Sequence, residues 1–466
     1  MGCRLSASEL ADPFEIADIE SELALSPRAD EPSASTLEIW FGRGLLLLTL
    51  VAVLICDLQI VHDAPNYYPD NEANRVAVVQ YIADHGTPPV LGTDSFIVDP
   101  TGPVPPNTTV LHRIIAGQSP TITANTPYPQ VLAVDPPYPY YLAVPVTWIV
   151  PWNHRVLALR LLSVLLACAA IVFLWAAVRE AWSANPIAAG LAAVVLGTMS
   201  GLVESFTAYQ PTAPMFALWC AAMWLVLRDV KRRRCSAWTV LTVAAATCAS
   251  PVALPAAVAA VVVLAVRSTG NRGRLLGLSL AAVLAPTIVW VIWNVHAYGD
   301  PWPLNLSSVA GQPARSRNWH ALTSAIGLVP TVSETVFDEL YASGASPYRV
   351  GNQRPEAFVA ITFAMGLSWA LWSGRIVQAR LALARFGTLM LASFVSIFAT
   401  SFIASVVAAA PMSYPEFLFG GYAAAWAGVA GIGLSAPFAG HRRLTIVAAT
   451  LVTLVLVGIM VTAPAL

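Results

Sequence analysis

Charged residues are scarce in this chain. Asp, Glu, Lys and Arg make up only 11% of its 466 residues, while 57% are hydrophobic and the mean hydropathy is +0.66. Because soluble domains carry about 25% charged residues, this composition excludes an ordinary water-soluble globular fold. Apolar runs at 44–60, 161–178 and 444–459 approach the roughly 20 residues that a helix needs to cross hydrocarbon. We therefore predict an all-α polytopic membrane protein.

Several motifs of soluble enzymes and of metal sites are also missing. The six cysteines form no CxxC pair, and the seven histidines show no HxxH or HExxH spacing, so the sequence predicts neither a disulfide framework nor a locally assembled zinc site. It contains no P-loop, no GxGxxG after a strand and no nucleophile elbow. We expect no soluble catalytic domain and no nucleic-acid partner.

The basic residues are arranged asymmetrically, and this predicts an orientation. Clusters such as 231–234 and 272–274 can all be placed in the cytoplasm by one threading, in which the N-terminus is cytoplasmic and the C-terminus outside. We expect the plasma membrane of a bacterium. About eleven transmembrane helices are predicted, beginning near Gly44, Arg155, Ile187, Gln210, Ala237, Pro251, Leu275, Glu356, Thr388, Phe417 and Leu444. The segment 237–266 is too short for two full crossings, and its break at Ser250-Pro251 favours a short buried hairpin.

Four regions follow from this pattern. Residues 1–43 are acidic and rich in Ser, Pro and Ala, and we interpret them as a disordered cytoplasmic tail. Residues 44–305 are predicted to form a transmembrane core that includes a large outer loop at 61–150. Residues 306–355 form a second outer loop, and residues 356–466 supply the C-terminal transmembrane helices. Both outer loops are much longer than the segments that simply connect two helices.

The first outer loop contains two predicted interfacial helices. Residues 71–85 place apolar side chains at helical spacing, which is typical of an amphipathic helix, and Pro88-Pro89 ends it. Residues 138–150 are apolar but too short to span, and their Tyr and Trp side chains favour the membrane interface.

A polar cluster stands at the start of this loop. Asp70, Asn71, Glu72 and Arg75 follow soon after the first span. Asp70 or Glu72 could act as a general base on a lipid-borne substrate, or both could bind a cation. The alternative is structural: Asp70 caps the helix, and Glu72 favours its positive N-terminal end.

A second candidate segment closes the same loop. Asp135 is followed by prolines and by Tyr138, Tyr140 and Tyr141. Tyrosine rings and hydroxyls suit sugars, but an aromatic belt at the membrane surface accounts for them equally well.

The order of these segments resembles the GT-C superfamily of integral membrane glycosyltransferases. The resemblance is carried by the acidic motif after the first span, the helix that ends in HGTPPV, then DPPYPYYLAVP, ALRLLSVLLACAAIVFLWAAVRE and WNVHAYGDPWPLN. It covers most of residues 44–305. The family has an Asp-Glu pair in its first outer loop, which here falls on Asp70 and Glu72, split by Asn71. Arg75 stands where many members have a histidine.

The resemblance also implies roles for other residues. Glu204, at the outer end of the third span, could complete the acidic site, although it could equally be a solvated interfacial residue. Members use polyprenyl-phosphate sugars, and Arg155 or Arg160, at the outer end of the second span, could pair with that phosphate. The alternative for these arginines is snorkelling to lipid headgroups.

The function that the resemblance implies is transfer of a sugar from a polyprenyl-phosphate donor to a glycan, lipid or protein acceptor on the outer face. Asp70, Glu72 and Glu204 are the candidate catalytic residues. Asn71, Arg75, Asp135, Tyr138, Tyr140, Tyr141, Arg155 and Arg160 are the candidate substrate-binding residues. No cofactor is implied beyond an optional divalent cation shared by Asp70 and Glu72. Two alternatives stay open: a transporter or lipid flippase, and a non-catalytic relative that keeps the fold.

Overall fold

The computed structural model of this chain describes residues 34–63, 71–89, 137–151, 154–199, 206–250, 253–268, 272–299, 422–438 and 441–462. Within these ranges all regular elements are helical. The α-helices are α1 (Thr36–Asp63), α2 (Asn71–His85), α3 (Tyr138–Ile149), α4 (Arg155–Ala181), α5 (Pro186–Gly197), α6 (Thr212–Lys231), α7 (Ala237–Ala249), α8 (Leu254–Arg267), α9 (Arg272–Tyr298), α10 (Tyr422–Ser435) and α11 (Arg442–Thr462). A short 3-10 helix, Ala436–Phe438, follows α10.

Four of the described helices, α1, α4, α6 and α9, are long and apolar enough to cross a membrane. The chain is therefore an integral membrane protein with an all-helical fold in its described part, as predicted. The spans that we expect near Glu356, Thr388 and Phe417 lie outside the described residues.

Helix α1 begins earlier than the apolar run predicts. It starts at Thr36 rather than near Gly44 because Ser35 and Glu38 cap it reciprocally. The Glu38 amide donates to Ser35 Oγ at 3.3 Å, and the Ser35 amide donates to Glu38 Oε2 at 2.8 Å. Each bond satisfies an amide that the helix itself leaves without a partner.

Helix α5 lies at the centre of the packing, and all its residues are buried. Its neighbours approach through glycines. A Cβ at Gly190 would come within 2.9 Å of Leu45 on α1, and a Cβ at Gly431 on α10 would come within 2.5 Å of the Ala192 amide nitrogen. Small residues at such contacts let helices pack closely. In a membrane this packing matters because lipid is itself apolar, so the hydrophobic effect does not drive helices together.

The predicted break in the 237–266 segment is confirmed. Helices α7 and α8 contain 13 and 14 residues, each shorter than the roughly 20 residues that a full crossing needs. Ser236 caps α7 by accepting a hydrogen bond from the Thr239 amide. Thr247 Oγ1 donates to the carbonyl of Val283 at 3.1 Å, which ties α7 to α9.

The two predicted helices of the first outer loop are present. Helix α2 has the predicted bounds of 71–85, and α3 ends at Ile149, one residue before the predicted end. They pack against each other through a shared apolar cluster, which comprises Val78, Val79, Ile82, Tyr140, Ala143, Val144, Val156, Leu159 and Tyr209. The end of α3 is exposed at Trp148 and Ile149.

Candidate functional site

Glu72 and Arg160 form a buried ion pair at the centre of the candidate site. Glu72 lies in the first turn of α2, and Arg160 lies in the second turn of α4. Arg160 Nε donates to Glu72 Oε1 at 2.8 Å, and Arg160 Nη2 donates to Glu72 Oε2 at 2.6 Å. The Glu72 side chain is 0% exposed and the Arg160 side chain is 2% exposed. This two-bond geometry is the strongest arrangement that a guanidinium and a carboxylate can adopt.

Two backbone groups complete the environment of the pair. Arg160 Nη1 donates to the carbonyl of Val61, near the end of α1, at 3.3 Å. The Tyr209 amide donates to Glu72 Oε1 at 2.9 Å. The pair thus joins α1, α2, α4 and the segment that leads into α6. Removing one member would leave a buried charge uncompensated, whereas the intact pair has its hydrogen-bonding groups satisfied.

Ser163 adds a further bond to the same segment. Its Oγ accepts a hydrogen bond from the Gln210 amide at 3.1 Å. Ser163 follows Arg160 by almost one turn of α4. Ser163 and Glu72, the partner of Arg160, therefore accept hydrogen bonds from adjacent amides, those of Gln210 and Tyr209.

Aromatic residues pack directly beside the pair. The rings of Tyr140 and Tyr209 meet edge to face, with centroids 6.4 Å apart. Tyr209 Oη donates to the carbonyl of Pro139 at 3.5 Å. Burial raises the pKa of Tyr209, although the positive charge of Arg75 opposes this shift. The phenol therefore stays protonated at neutral pH and keeps its donor.

The remaining tyrosines of the predicted segment bind its neighbours in the fold. Tyr138 Oη donates to the carbonyl of Pro286 on α9 at 3.2 Å, and Tyr141 Oη donates to the carbonyl of Gly86 at 2.9 Å. Burial raises the pKa of both phenols. The two side chains thus hold α3 between α9 and the end of α2.

The other two arginines differ in burial. Arg75 is 7% exposed and lies on the face of α2 that carries Glu72. Arg155 is half-buried at the start of α4, where its Nη1 donates to Gln80 and its Nε donates to the carbonyl of Val150 at 3.2 Å. Arg155 is thus the more accessible of the two.

Three predicted site residues, Asp70, Asp135 and Glu204, lie outside the described residues. Asn71 begins α2, but its side chain is not described. No group of three or more His, Cys, Asp or Glu side chains that could hold a metal occurs among the described residues. Both Glu72 oxygens already accept hydrogen bonds from Arg160, so a cation at Glu72 would compete with the guanidinium for the same carboxylate.

Two residues of this region, Tyr209 and Asp57, are not among those that the sequence predicts for the site. Tyr209 contributes its backbone amide, which no residue pattern reveals. Asp57 is fully buried on α1, one turn before Val61, and lies within electrostatic reach of Cys168 on α4. An acidic residue within an apolar run is a recognisable signal, because an ionisable group in a membrane helix is costly.

Comparison with known families supports the predicted resemblance. Residues 134–293 match the family described as dolichyl-phosphate-mannose-protein mannosyltransferase, which is a GT-C superfamily glycosyltransferase family. The match extends from just before α3 into α9 and contains Arg155, Arg160 and Tyr209. The predicted resemblance to the GT-C superfamily is confirmed over this range, and it indicates a membrane glycosyltransferase of the GT-C type. Comparisons with curated proteins and with solved structures gave no match.

Proposed function

We propose that this protein transfers a sugar from a polyprenyl-phosphate donor to a glycan, lipid or protein acceptor on the outer face of the membrane. The observation that carries the proposal is the Glu72–Arg160 pair. It joins the first outer loop to α4, a helix within the segment that matches the mannosyltransferase family. We further propose about eleven spans, a cytoplasmic N-terminus, an outside C-terminus and the plasma membrane of a bacterium.

The contacts of the pair favour a division of roles between the two acidic residues. Glu72 accepts hydrogen bonds from Arg160 and from the Tyr209 amide, so its oxygens are committed to the fold. Asp70 precedes Glu72 by two residues. We assign Asp70 as the general base and Glu72 as a positioning residue that holds the start of α2 in place.

The proposed reaction is a single displacement at the anomeric carbon of the donor sugar. The carboxylate of Asp70 accepts the proton of the acceptor hydroxyl, and the hydroxyl oxygen forms a bond to the anomeric carbon of the sugar. The bond between that carbon and the phosphate oxygen breaks, and polyprenyl phosphate leaves with both electrons of the bond. Arg155, which is half-buried at the membrane surface, would stabilise the negative charge of the phosphate better than the committed Arg160.

Substitution of Asp70 tests the assignment. Membranes that contain the Asp70→Asn variant should lose transfer from radiolabelled polyprenyl-phosphate hexose and pentose donors while keeping wild-type protein levels. Glu180→Gln, which removes a carboxylate paired with Lys231 at the far end of α4, is the control and should retain transfer. Wild-type transfer by Asp70→Asn would refute Asp70 as the base. Absence of transfer in the wild-type protein with every donor would instead favour a non-catalytic relative or a transporter.

A further inference from the structure

Arg43 and Arg179 lie at the membrane surface opposite the Glu72–Arg160 pair. Arg160 and Arg179 stand 19 positions apart on α4, which is about 28 Å along a helix at 1.5 Å per residue. Arg43 and Val61 on α1 are separated by nearly the same length. Because hydrocarbon is about 30 Å thick, the Glu72–Arg160 pair and the Arg43–Arg179 region lie at opposite surfaces.

Arginines at this surface stack on tryptophans. Three pairs share the arrangement, each on a different membrane-spanning helix. They are Arg43 over Trp40 at 5.5 Å, Arg179 over Trp175 at 5.9 Å and Arg228 over Trp224 at 5.5 Å, measured from the guanidinium carbon to the ring centroid. Stacking of this kind holds the guanidinium plane in place while its N–H groups stay available along the edge.

Arg179 and Trp175 carry buried donors that lack acceptors. Arg179 Nη1 and Trp175 Nε1 are both buried and have no hydrogen-bond partner among the residues that the structure describes. They lie one turn apart on α4. Buried donors in native proteins are nearly always satisfied, so this position calls for an acceptor from outside the described chain.

The surrounding charges indicate an anionic acceptor. Arg43 lies near enough to Arg179 for the two positive charges to repel each other. No carboxylate among the described residues forms a salt bridge with either arginine. The neighbouring acid, Glu180, instead pairs with Lys231 at 3.3 Å. Two uncompensated guanidinium groups near each other are stabilised by a shared anion.

We propose that this region binds the phosphate of an anionic phospholipid headgroup. Arg43, Arg179 and Trp175 would donate to the phosphate oxygens. A lipid fits because the site adjoins the exposed apolar side of α1, where Trp40 is 63% exposed and Leu47 is 64% exposed. Acyl chains can lie on that side while the headgroup meets the arginines. With the predicted orientation the lipid belongs to the cytoplasmic leaflet, and its binding is independent of sugar transfer.

Thermal unfolding in mixed micelles tests the proposal. The unfolding temperature of the wild-type protein should rise as phosphatidylglycerol replaces phosphatidylcholine, because a ligand that binds the folded state stabilises it. Arg43→Gln, at an exposed position, should lose at least half of this shift, and Arg43→Gln with Arg179→Gln should lose nearly all of it. The control Arg232→Gln removes one exposed positive charge that stacks on no tryptophan among the described residues, and it should keep the shift.

Three results would overturn the proposal. An equal loss in Arg232→Gln would reduce the effect to diffuse surface charge. An equal shift from inorganic phosphate in phosphatidylcholine micelles would show that a free anion suffices. A shift that appears only after removal of residues 2–33, a segment with eight acidic residues, would make that segment the occupant. Should the double variant not fold, Arg43→Gln alone decides, with native mass spectrometry to count bound phosphatidylglycerol.

Discussion

The carboxylate of Glu72 and the guanidinium of Arg160 are 88 positions apart in the chain, yet they are joined by hydrogen bonds of 2.8 and 2.6 Å. This contact closes the first outer loop onto α4. Because both side chains are almost fully buried, the energy of the pair depends on keeping both partners. A lone buried charge costs far more than a matched pair or an apolar replacement.

Arg160→Leu should therefore destabilise the protein by roughly 3–5 kcal/mol, which is the usual cost of breaking a buried ion pair. The double variant Glu72→Leu with Arg160→Leu should recover part of that loss, since neither charge is then left alone. Thermal unfolding of the purified variants in detergent measures both effects. Additive losses in the double variant would show that the two side chains do not act as a pair.

The packing of α10 against α5 gives a second prediction. Gly431→Ala should destabilise the protein, because the new Cβ would approach the backbone of Ala192 within 2.5 Å and backbone cannot move aside easily. Gly277→Ala on α9 is the matched control, since a Cβ there meets nothing within 4 Å. Comparing the two unfolding temperatures tests the contact. Equal values for both variants would argue against close packing of α5 and α10.

Where the signals are local, the sequence predicts the described helices well. The bounds of α2 follow from apolar spacing and from Pro88-Pro89, and the break between α7 and α8 follows from length and proline. The apolar run does not predict the start of α1, which Ser35 and Glu38 mark as a capping box. The Glu72–Arg160 pair could not be predicted, because spacing along a chain carries no information on which distant side chains meet.

The α7–α8 hairpin should enter and leave the membrane on the same side. In a variant whose other cysteines are replaced, a membrane-impermeant maleimide should label Cys235 and an introduced Arg267→Cys, at an exposed position, only after the cells are permeabilised. Burial and the charge of Asp229 raise the pKa of the Cys235 thiol, so at neutral pH less of it is thiolate than in an ordinary cysteine. Its labelling should accelerate as the pH rises toward that pKa. Labelling of the two positions from opposite sides would mean that this segment crosses the membrane.

Arg155 provides a test of donor recognition that is separate from the test of the base. Its guanidinium lies half-buried between Gln80 and the end of α3, and the proposed phosphate contact would form when the donor binds. Arg155→Gln should therefore raise KM for the polyprenyl-phosphate sugar about tenfold or more, which corresponds to loss of one charge-assisted contact of at least roughly 1.4 kcal/mol. The KM of Arg155→Lys should lie between those of the wild-type protein and Arg155→Gln. An ammonium group keeps the positive charge but cannot donate two parallel hydrogen bonds to the phosphate as a guanidinium can. Steady-state transfer rates over a range of donor concentrations separate KM from kcat. A lowered kcat at unchanged KM in Arg155→Gln would place this arginine outside donor binding, and Arg232→Gln serves as the control for a lost positive charge.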